Sequence, residues 1–485
     1  MRWLGKRVLI VHFRVGRTDG VSLQIACWKE ILNRQGATVK LVSGPENDGA
    51  DFVIPHLENQ QDEEIFNLDE EAFGSFKSIK SEAEFILRFE KVQNQIEFEF
   101  SKVLEKFKPD QLIISNIFSV GENLPAAGAI FNAIYKFQIP ALLVCHDFFW
   151  ENARYTIPSC QFVNQYVQKL LPPKHHLLTY ACINSIAREK LRVRRGINSV
   201  LLPDTLDFRQ KIGDAGAKCA KLLREFGVAR DDLVVLQATR VVRRKNIELA
   251  VDLVRELSTP ARLKELETRG LYNGKGFEAD RNKVVLVLAG YAEKRDEAYL
   301  KKLLGYADRS NVKYVHLNGR AEAYASGGRS GPTLLDLHCY ADLVTYPSEV
   351  EGFGNQVLEA VLSKTPVATF LYPVFKKDIL PLGFDVISFG DEVTEDKTTG
   401  FKTVPKETLE AAADRCLEVL TDDEKYHAMV SKNFQIAKKH FSYDHPLEIF
   451  RKVLFRKRDR IMSKAKIPTE NVLGRTIFKF NYYYV

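Results

Sequence analysis

Two glutamates eight residues apart, Glu351 and Glu359, bracket the run Gly352-Phe353-Gly354-Asn355. A glycine loop that opens a helix aims backbone N–H groups and the positive end of the helix dipole at whatever lies above it. That favours an anion such as a diphosphate. Glycine lets the backbone come close to that anion. Glu359 falls about two turns along the helix, where it can accept bonds from a hydroxylated group. Glu351 precedes the loop and can reach the other end of the same ligand. A nucleotide-sugar, with its sugar, diphosphate and ribose, has that shape. A bare Gly-x-Gly turn is a weak signal. The specificity lies in the full string Pro347-Ser348-x-x-Glu351-Gly352-Phe353-Gly354-x-x-x-Leu358-Glu359-Ala360.

Two further stretches carry chemistry. Arg240 and Lys245 follow the apolar run 233–238 and stand five apart at the start of a helical segment. Cations there can neutralise a leaving diphosphate. Arg243 and Arg244 lie between them as solvent-facing helpers. His146 and Asp147 end the buried run 140–145. Ligands of doubly wound sheets bind at the carboxyl ends of strands, so His146 emerges where a substrate would lie. Asp147, Trp150, Glu151 and Arg154 follow closely and can line an acceptor side.

The elements that must position these residues alternate between strand and helix. Continuous apolar runs at 8–11, 111–115, 140–145, 233–238, 283–289, 312–317 and 342–346 have the character of central parallel strands, covered on both faces. Helical spacing is expected over 21–35, 81–107, 125–137, 334–340 and 422–453, the last with a break near 441–444. The locally acidic segment 46–71 reads as an exposed, partly irregular excursion, with an acceptor lid as its functional alternative. The fold class is α/β, with two doubly wound domains facing across a cleft. Residues 1–205 form the first domain, 206–440 the second, and 441–485 a helix and tail that return to the first.

The chain has 485 residues, enough for two domains, and a hydrophobic fraction of 45%. Its net charge of +7 is spread too evenly to argue for nucleic acid. Seven scattered cysteines with no C-x-x-C pair point to reduced thiols and a cytoplasmic protein. No apolar run is long enough to span a membrane. The basic segment 451–466 reads as the solvated face of the returning helix, with contact to an anionic lipid surface as the alternative. The aromatic end, 478–485, is expected to pack on the protein or on a second copy. No D-x-D triplet, zinc-like Cys/His spacing, P-loop or G-x-S-x-G elbow occurs.

The glutamate string resembles the donor-site signature of glycosyltransferase family four, retaining transferases built from two Rossmann-like domains in the GT-B architecture. The resemblance covers most of the chain and is strongest over 240–367. It implies transfer of a hexosyl group from a nucleotide-diphospho-sugar, with Arg240, Lys245, Glu351 and His146 as the catalytic set and His146 against the transferred sugar. It further implies Gly20 as a close-approach residue, Glu359, Gly352, Phe353, Gly354 and Asn355 as donor-binding, and Gly319 and Arg320 near the base. Arg14 and Arg17, in the loop after the first strand, would hold an acidic acceptor together with Asp147 and Arg154. No metal or other cofactor is expected, since the cations and loop amides replace a metal clamp. Front-face attack, with the departing phosphate taking the acceptor proton, is the mechanism implied.

Two departures affect the donor's identity. Lys364 stands where a glycine often ends the signature helix, and Tyr372-Pro373-Val374-Phe375-Lys376-Lys377-Asp378 replaces a glycine-rich loop. That segment, residues 16–23 and His146–Glu151 bear a weaker resemblance to transferases that build compatible solutes such as mannosylglucosylglycerate. GDP-mannose or UDP-glucose as donor and a small acidic acceptor are then expected. The rival readings are a UDP-sugar epimerase on the same scaffold, whose acidic set is not evident, and a non-catalytic nucleotide-sugar sensor, which five intact site residues oppose.

Overall fold

The computed structural model describes residues 3–16, 19–45, 49–58, 62–76, 81–210, 216–321 and 331–455, and the backbone of 469–472 and 475–478. Arg17, residues 456–466 of the basic segment and the last residues of the aromatic end lie outside the described residues.

Two parallel sheets carry the chain. The first holds β1 (Arg7–Val11), β2 (Thr38–Ser43), β3 (Phe52–Val53), β4 (Gln111–Ser115), β5 (Ala141–Cys145), β6 (Leu178–Cys182) and β7 (Val200–Leu201). The second holds β8 (Leu233–Gln237), β9 (Val284–Leu288), β10 (Lys313–His316), β11 (Leu343–Tyr346), β12 (Val367–Thr369) and β13 (Ile387–Ser388). Their orders are β3-β2-β1-β4-β5-β6-β7 and β10-β9-β8-β11-β12-β13. Each order reverses beside the strand that opens the sheet, between β1 and β4 and between β8 and β11. Such reversals leave a crevice at the strands' carboxyl ends. The central strands are buried along their whole length, as their unbroken apolar runs require. Each buried Val, Leu or Ile contributes roughly 1.5–3 kcal/mol relative to exposure.

Local chemistry sets the helix ends. Asp19 caps the helix Gly20–Arg34 by accepting from Ser22 N at 3.1 Å. Ser81 does the same for Glu82–Phe107, accepting from Glu84 N at 3.2 Å.

The acidic segment differs from expectation. It supplies edge strand β3, paired parallel to β2, and a helix, Glu63–Ala72, capped by Asp62. Glu58, Asp69 and Glu71 are buried. Asp69 accepts from Asn123 N at 3.0 Å, and Arg88 pairs with Glu64 at 2.6 Å. Among the described residues of this segment, then, part is strand and helix with buried, bonded carboxylates in place of a wholly exposed excursion.

The chain crosses between the sheets twice, side by side. Leu206 N donates to Phe441 O at 3.0 Å, and Leu206 bridges Ser442. The helix Asp423–Phe441 ends at this crossing, and Asp444–Val453 continues onto the first sheet's side. There Tyr443 Oη reaches Glu30 at 3.2 Å, and Phe455 N donates to Gln111 Oε1 at 3.3 Å. Beyond it the backbone makes an antiparallel hairpin, Thr469–Val472 with Arg475–Phe478.

Candidate functional site

The carboxyl ends of the two sheets face each other across short contacts. Asn184 caps the helix Ser185–Arg195 through its Oδ1, which accepts from Ala187 N at 2.7 Å. Its Nδ2 donates to Gly352 O at 2.7 Å in the opposite glycine loop. Asp378 reaches the same helix from the second domain and accepts from Ser185 N at 2.6 Å and Ser185 Oγ at 2.5 Å. A Cβ placed on Gly352 would lie 3.1 Å from Ile183 Cδ1 and 3.9 Å from His146 O. One placed on Gly20 would meet Asn355 Nδ2 at 2.8 Å. Gly20 and His146, far apart in sequence, therefore border one cleft with Gly352 and Asn355 of the opposite loop.

The glycine loop is held from below. Gly354 has φ +120°, and a Cβ there would lie 2.1 Å from Tyr372 Oη, so backbone conformation and packing both demand glycine. Tyr372 donates to Phe353 O at 2.6 Å. The Tyr372 segment, which departs from common members of the resembled family, thus props the loop. The Phe353 side chain is buried, its ring 5.2 Å from that of Phe441. It anchors the loop in the core. Lys364 takes φ +56° after the helix Asn355–Leu362, doing the conformational work of the glycine it replaces, and its carbonyl accepts from Tyr426 Oη at 3.2 Å.

Beside the loop, Glu351 is ion-paired with Lys245, and both side chains are about nine-tenths buried. Arg244 Nη1 approaches the same carboxylate oxygen at 3.2 Å. Burial opposes the charge on Glu351, but Lys245 and Arg244 outweigh it and hold the carboxyl below its ordinary value. Burial lowers Lys245, and Glu351 offsets this incompletely because Arg244 and Arg240 repel it. The cluster carries one positive charge in excess, an arrangement that favours an anion. Arg240 itself pairs with Glu293 at 2.5 Å and is 41% exposed, so it stands outside the buried pair.

Glu359, on the helix, has its Oε2 4.0 Å from Nε2 of the buried His338, whose Nδ1 donates to Leu334 O at 2.8 Å. Gly319 adopts φ +76°, and Arg320 pairs with Glu225 at 2.6 Å, half exposed.

On the first domain's side, His146 is buried, with its N–H bonded to Asn116 Oδ1 at 2.8 Å and its ring 5.9 Å from that of Trp28. Burial lowers its imidazole to about 3, with a smaller push from His12. His12 is buried alongside, its Nδ1 donating to Ser115 O at 3.0 Å. Arg14 faces Asp19 at 3.8 Å. Asp147 is open to water. Crowding and Glu151 push its carboxyl upward, an effect that contact with solvent moderates. Arg154 pairs with Glu70 at 2.7 Å and lies over the Tyr155 ring, engaged with the helix Glu63–Ala72.

Sequence reasoning missed Asp204, which is buried with Oδ1 4.0 Å from His146 Nδ1. It also missed Asn184 and the capping role of Asp378. Asn184 carries a local N-cap signal, but its contact with Gly352, like the contacts of Asp204 and Asp378, is made with a partner distant in the chain. Arg244, read as a solvent-facing helper, contacts Glu351 directly.

Residues 220–435 match the family described as Glycosyl transferases group 1. The chain is 33% identical to the mannosylglucosylglycerate synthase of Petrotoga mobilis, a match covering 91% of this chain and 99% of that one. It is 32% identical to the mannosylglucosylglycerate synthase of Thermotoga maritima, over 90% and 97% of the two chains. Its fold is similar to that of sucrose-phosphate synthase from Thermosynechococcus elongatus, with a TM-score of 0.57 at 13% identity, covering 92% of this chain and 99% of that one.

Proposed function

The chain belongs to the group 1 glycosyl transferases, and on that premise we propose that it moves a hexosyl group, with retention, from GDP-mannose or UDP-glucose to a hydroxyl of a small acidic acceptor. The single observation that carries this reading is the buried Lys245–Glu351 pair with Arg244. Its excess positive charge lies beside a glycine loop that opens a helix, and that loop borders His146 across the cleft. The name of the two relatives supports a product built from mannosyl, glucosyl and glycerate units. The glycerate carboxylate is the acidic group, and Arg14 is the described arginine assigned to it.

In this reading residues 1–205 form the acceptor half and 206–440 the donor half. The diphosphate lies on the loop amides with Lys245 and Arg240, and Glu359 holds the ribose. Glu351 and His146 meet at the sugar. Lys245 and Arg244 are partly neutralised by Glu351 until the donor arrives, so a diphosphate gains preorganised cations at little reorganisation cost. No metal is required, since fixed cations and amides stabilise the leaving group. The departing phosphate takes the acceptor proton. A cytoplasmic setting suits the seven free cysteines, five of them buried. Among the described residues no helix is long and apolar enough to cross a membrane.

The test is nucleotide release over a donor panel, with and without glycerate-bearing acceptors. Acceptor-dependent release of GDP or UDP supports the reading. Donor binding without turnover on any acceptor would favour a sensor instead.

A further inference from the structure

Asp204 lies where the chain leaves the first domain, and its position is built rather than incidental. Gln24, on the buried face of the helix Gly20–Arg34, grips the next residue's backbone from both sides. Its Nε2 donates to Thr205 O at 3.0 Å, and its Oε1 accepts from Thr205 N at 3.0 Å. This clamp fixes Asp204 against His146. The two side chains are 8% and 4% exposed, and their nearest polar atoms, Oδ1 and Nδ1, stand 4.0 Å apart. Asp204 Oδ1, His146 Nε2 and Asn355 Oδ1 are all buried without a hydrogen-bond partner. The Asn355 amide faces the Asp204 carboxyl from the second domain, partly offsetting the burial that pushes the carboxyl up to about 7. Three unpartnered polar atoms in one enclosed locus cost free energy unless a ligand satisfies them. This locus borders the glycine loop.

We propose that Asp204 is the positioning residue for His146, its free carboxylate oxygen accepting the Nδ1 proton when the cleft is occupied, so that Nε2 is left to accept from a hydroxyl of the transferred sugar. This inference rests on the glycosyl-transfer reading above. The 4.0 Å separation is too long for a hydrogen bond, so a small rotation on ligand binding makes the contact. A neutral imidazole carries one proton, and whichever nitrogen has a fixed acceptor keeps it. The Asn355 amide faces Asp204 from the other domain, so the tautomer is set where the two domains meet.

Asp204→Asn tests this. Asn355 favours an oxygen opposite its amide, so the new side chain turns its own NH₂ toward His146 Nδ1. That stabilises the opposite tautomer. The direct readout is the ¹⁵N spectrum of histidine-labelled protein with GDP-mannose or UDP-glucose, with the His146 signals identified by their loss in His146→Gln. The expected result is an Nδ1–H tautomer in the natural protein and Nε2–H in Asp204→Asn. With it, kcat should fall about tenfold or more while KM changes less than about threefold, since orientation matters most as the anomeric bond breaks. A merely structural role would lower Tm and leave the tautomer unchanged. An unchanged tautomer, or a natural kcat in Asp204→Asn, overturns the proposal. Should the natural protein transfer no sugar from any donor, the glycosyl-transfer reading fails, and the tautomer comparison still decides the role of Asp204.

Discussion

Glu351 and Lys245 are each other's buried counter-ion, and with Arg244 on the same carboxylate oxygen the cluster is one positive charge from neutrality. The relationship makes the cluster a stability element and, in the proposed reading, the place that receives the leaving diphosphate. Removing Glu351 leaves Lys245 as an uncompensated buried charge, which costs about 3–5 kcal/mol, whereas removing Lys245 leaves Glu351 only the half-exposed Arg244 as counter-ion, a smaller loss.

Lys245→Ala should therefore lower stability as well as turnover. The expected loss of turnover is about 10²–10³-fold, the scale for a preorganised electrostatic contact. Lys245→Met combined with Glu351→Gln removes both charges, so it should recover most of the stability and none of the activity. Arg240→Ala should cost turnover with little change in stability, because Arg240 is half exposed and paired with Glu293. Steady-state rates and urea midpoints of the three variants check this. Natural turnover in either Lys245→Ala or Arg240→Ala would remove that residue from the leaving-group site.

Glu359 lies along the helix from the loop and should hold a part of the donor remote from the chemistry. Glu359→Gln is expected to raise KM by about 10-fold or more, equivalent to about 1.5–3 kcal/mol for a hydrogen bond to a charged group, with a smaller effect on kcat. Glu351→Gln and His146→Ala should chiefly lower kcat and be non-additive, since both act on one sugar. The kinetics of the three single variants and the double variant distinguish the roles.

How far the sequence revealed this site depends on how local each role is. The Glu351–Lys245 cluster and the glycine loop beside it were legible because their parts are contiguous. Glu351, Gly354 and Glu359 sit in one strand-loop-helix unit, and Arg240 and Lys245 in another. The strands were legible because burial on both faces writes an unbroken apolar run. Asp204 was not, since its meaning comes from His146 and from a clamp by Gln24. Phe353 lies inside the glycine motif yet faces the core, a direction that no spacing encodes. The 46–71 segment misled because its carboxylates resemble a solvated surface, while Asp69 and Glu71 lie on the buried face of the helix Glu63–Ala72.

Asp378 joins the second domain to a helix start of the first. Asp378→Ala should loosen the closed arrangement and leave the donor loop itself intact. The expected outcome is a KM raised several-fold for both substrates and a larger radius of gyration by small-angle scattering. An unchanged radius with natural KM values would show that the contact does not hold the domains together.

Burial lowers His146 to about 3 and His12 to about 4, against an ordinary value of 6.5. Between 6.5 and those values the unfolded chain binds protons that the folded chain refuses. The two histidines' contribution to stability is thus full above pH 6.5 and falls as pH drops through this window, by roughly 1.4 kcal/mol per unit each. Asp204, raised to about 7, works in the opposite sense, so the histidine effect is read as a difference between variants. His146→Gln should flatten the decline between pH 6.5 and 4.5 by about that amount. Urea unfolding of the two proteins at matched pH measures it, and parallel curves would contradict the assignment.

Metal-free sugar transfer with retention is tested most directly by proton NMR of the reaction in EDTA. GDP-mannose or UDP-glucose is supplied with a glycerate-bearing acceptor, and the anomeric signal of the product is followed over time. The account predicts acceptor-dependent turnover that survives chelation and a product keeping the donor's anomeric configuration. Loss of turnover restored by Mg²⁺ or Mn²⁺, or an inverted anomeric centre, would contradict it.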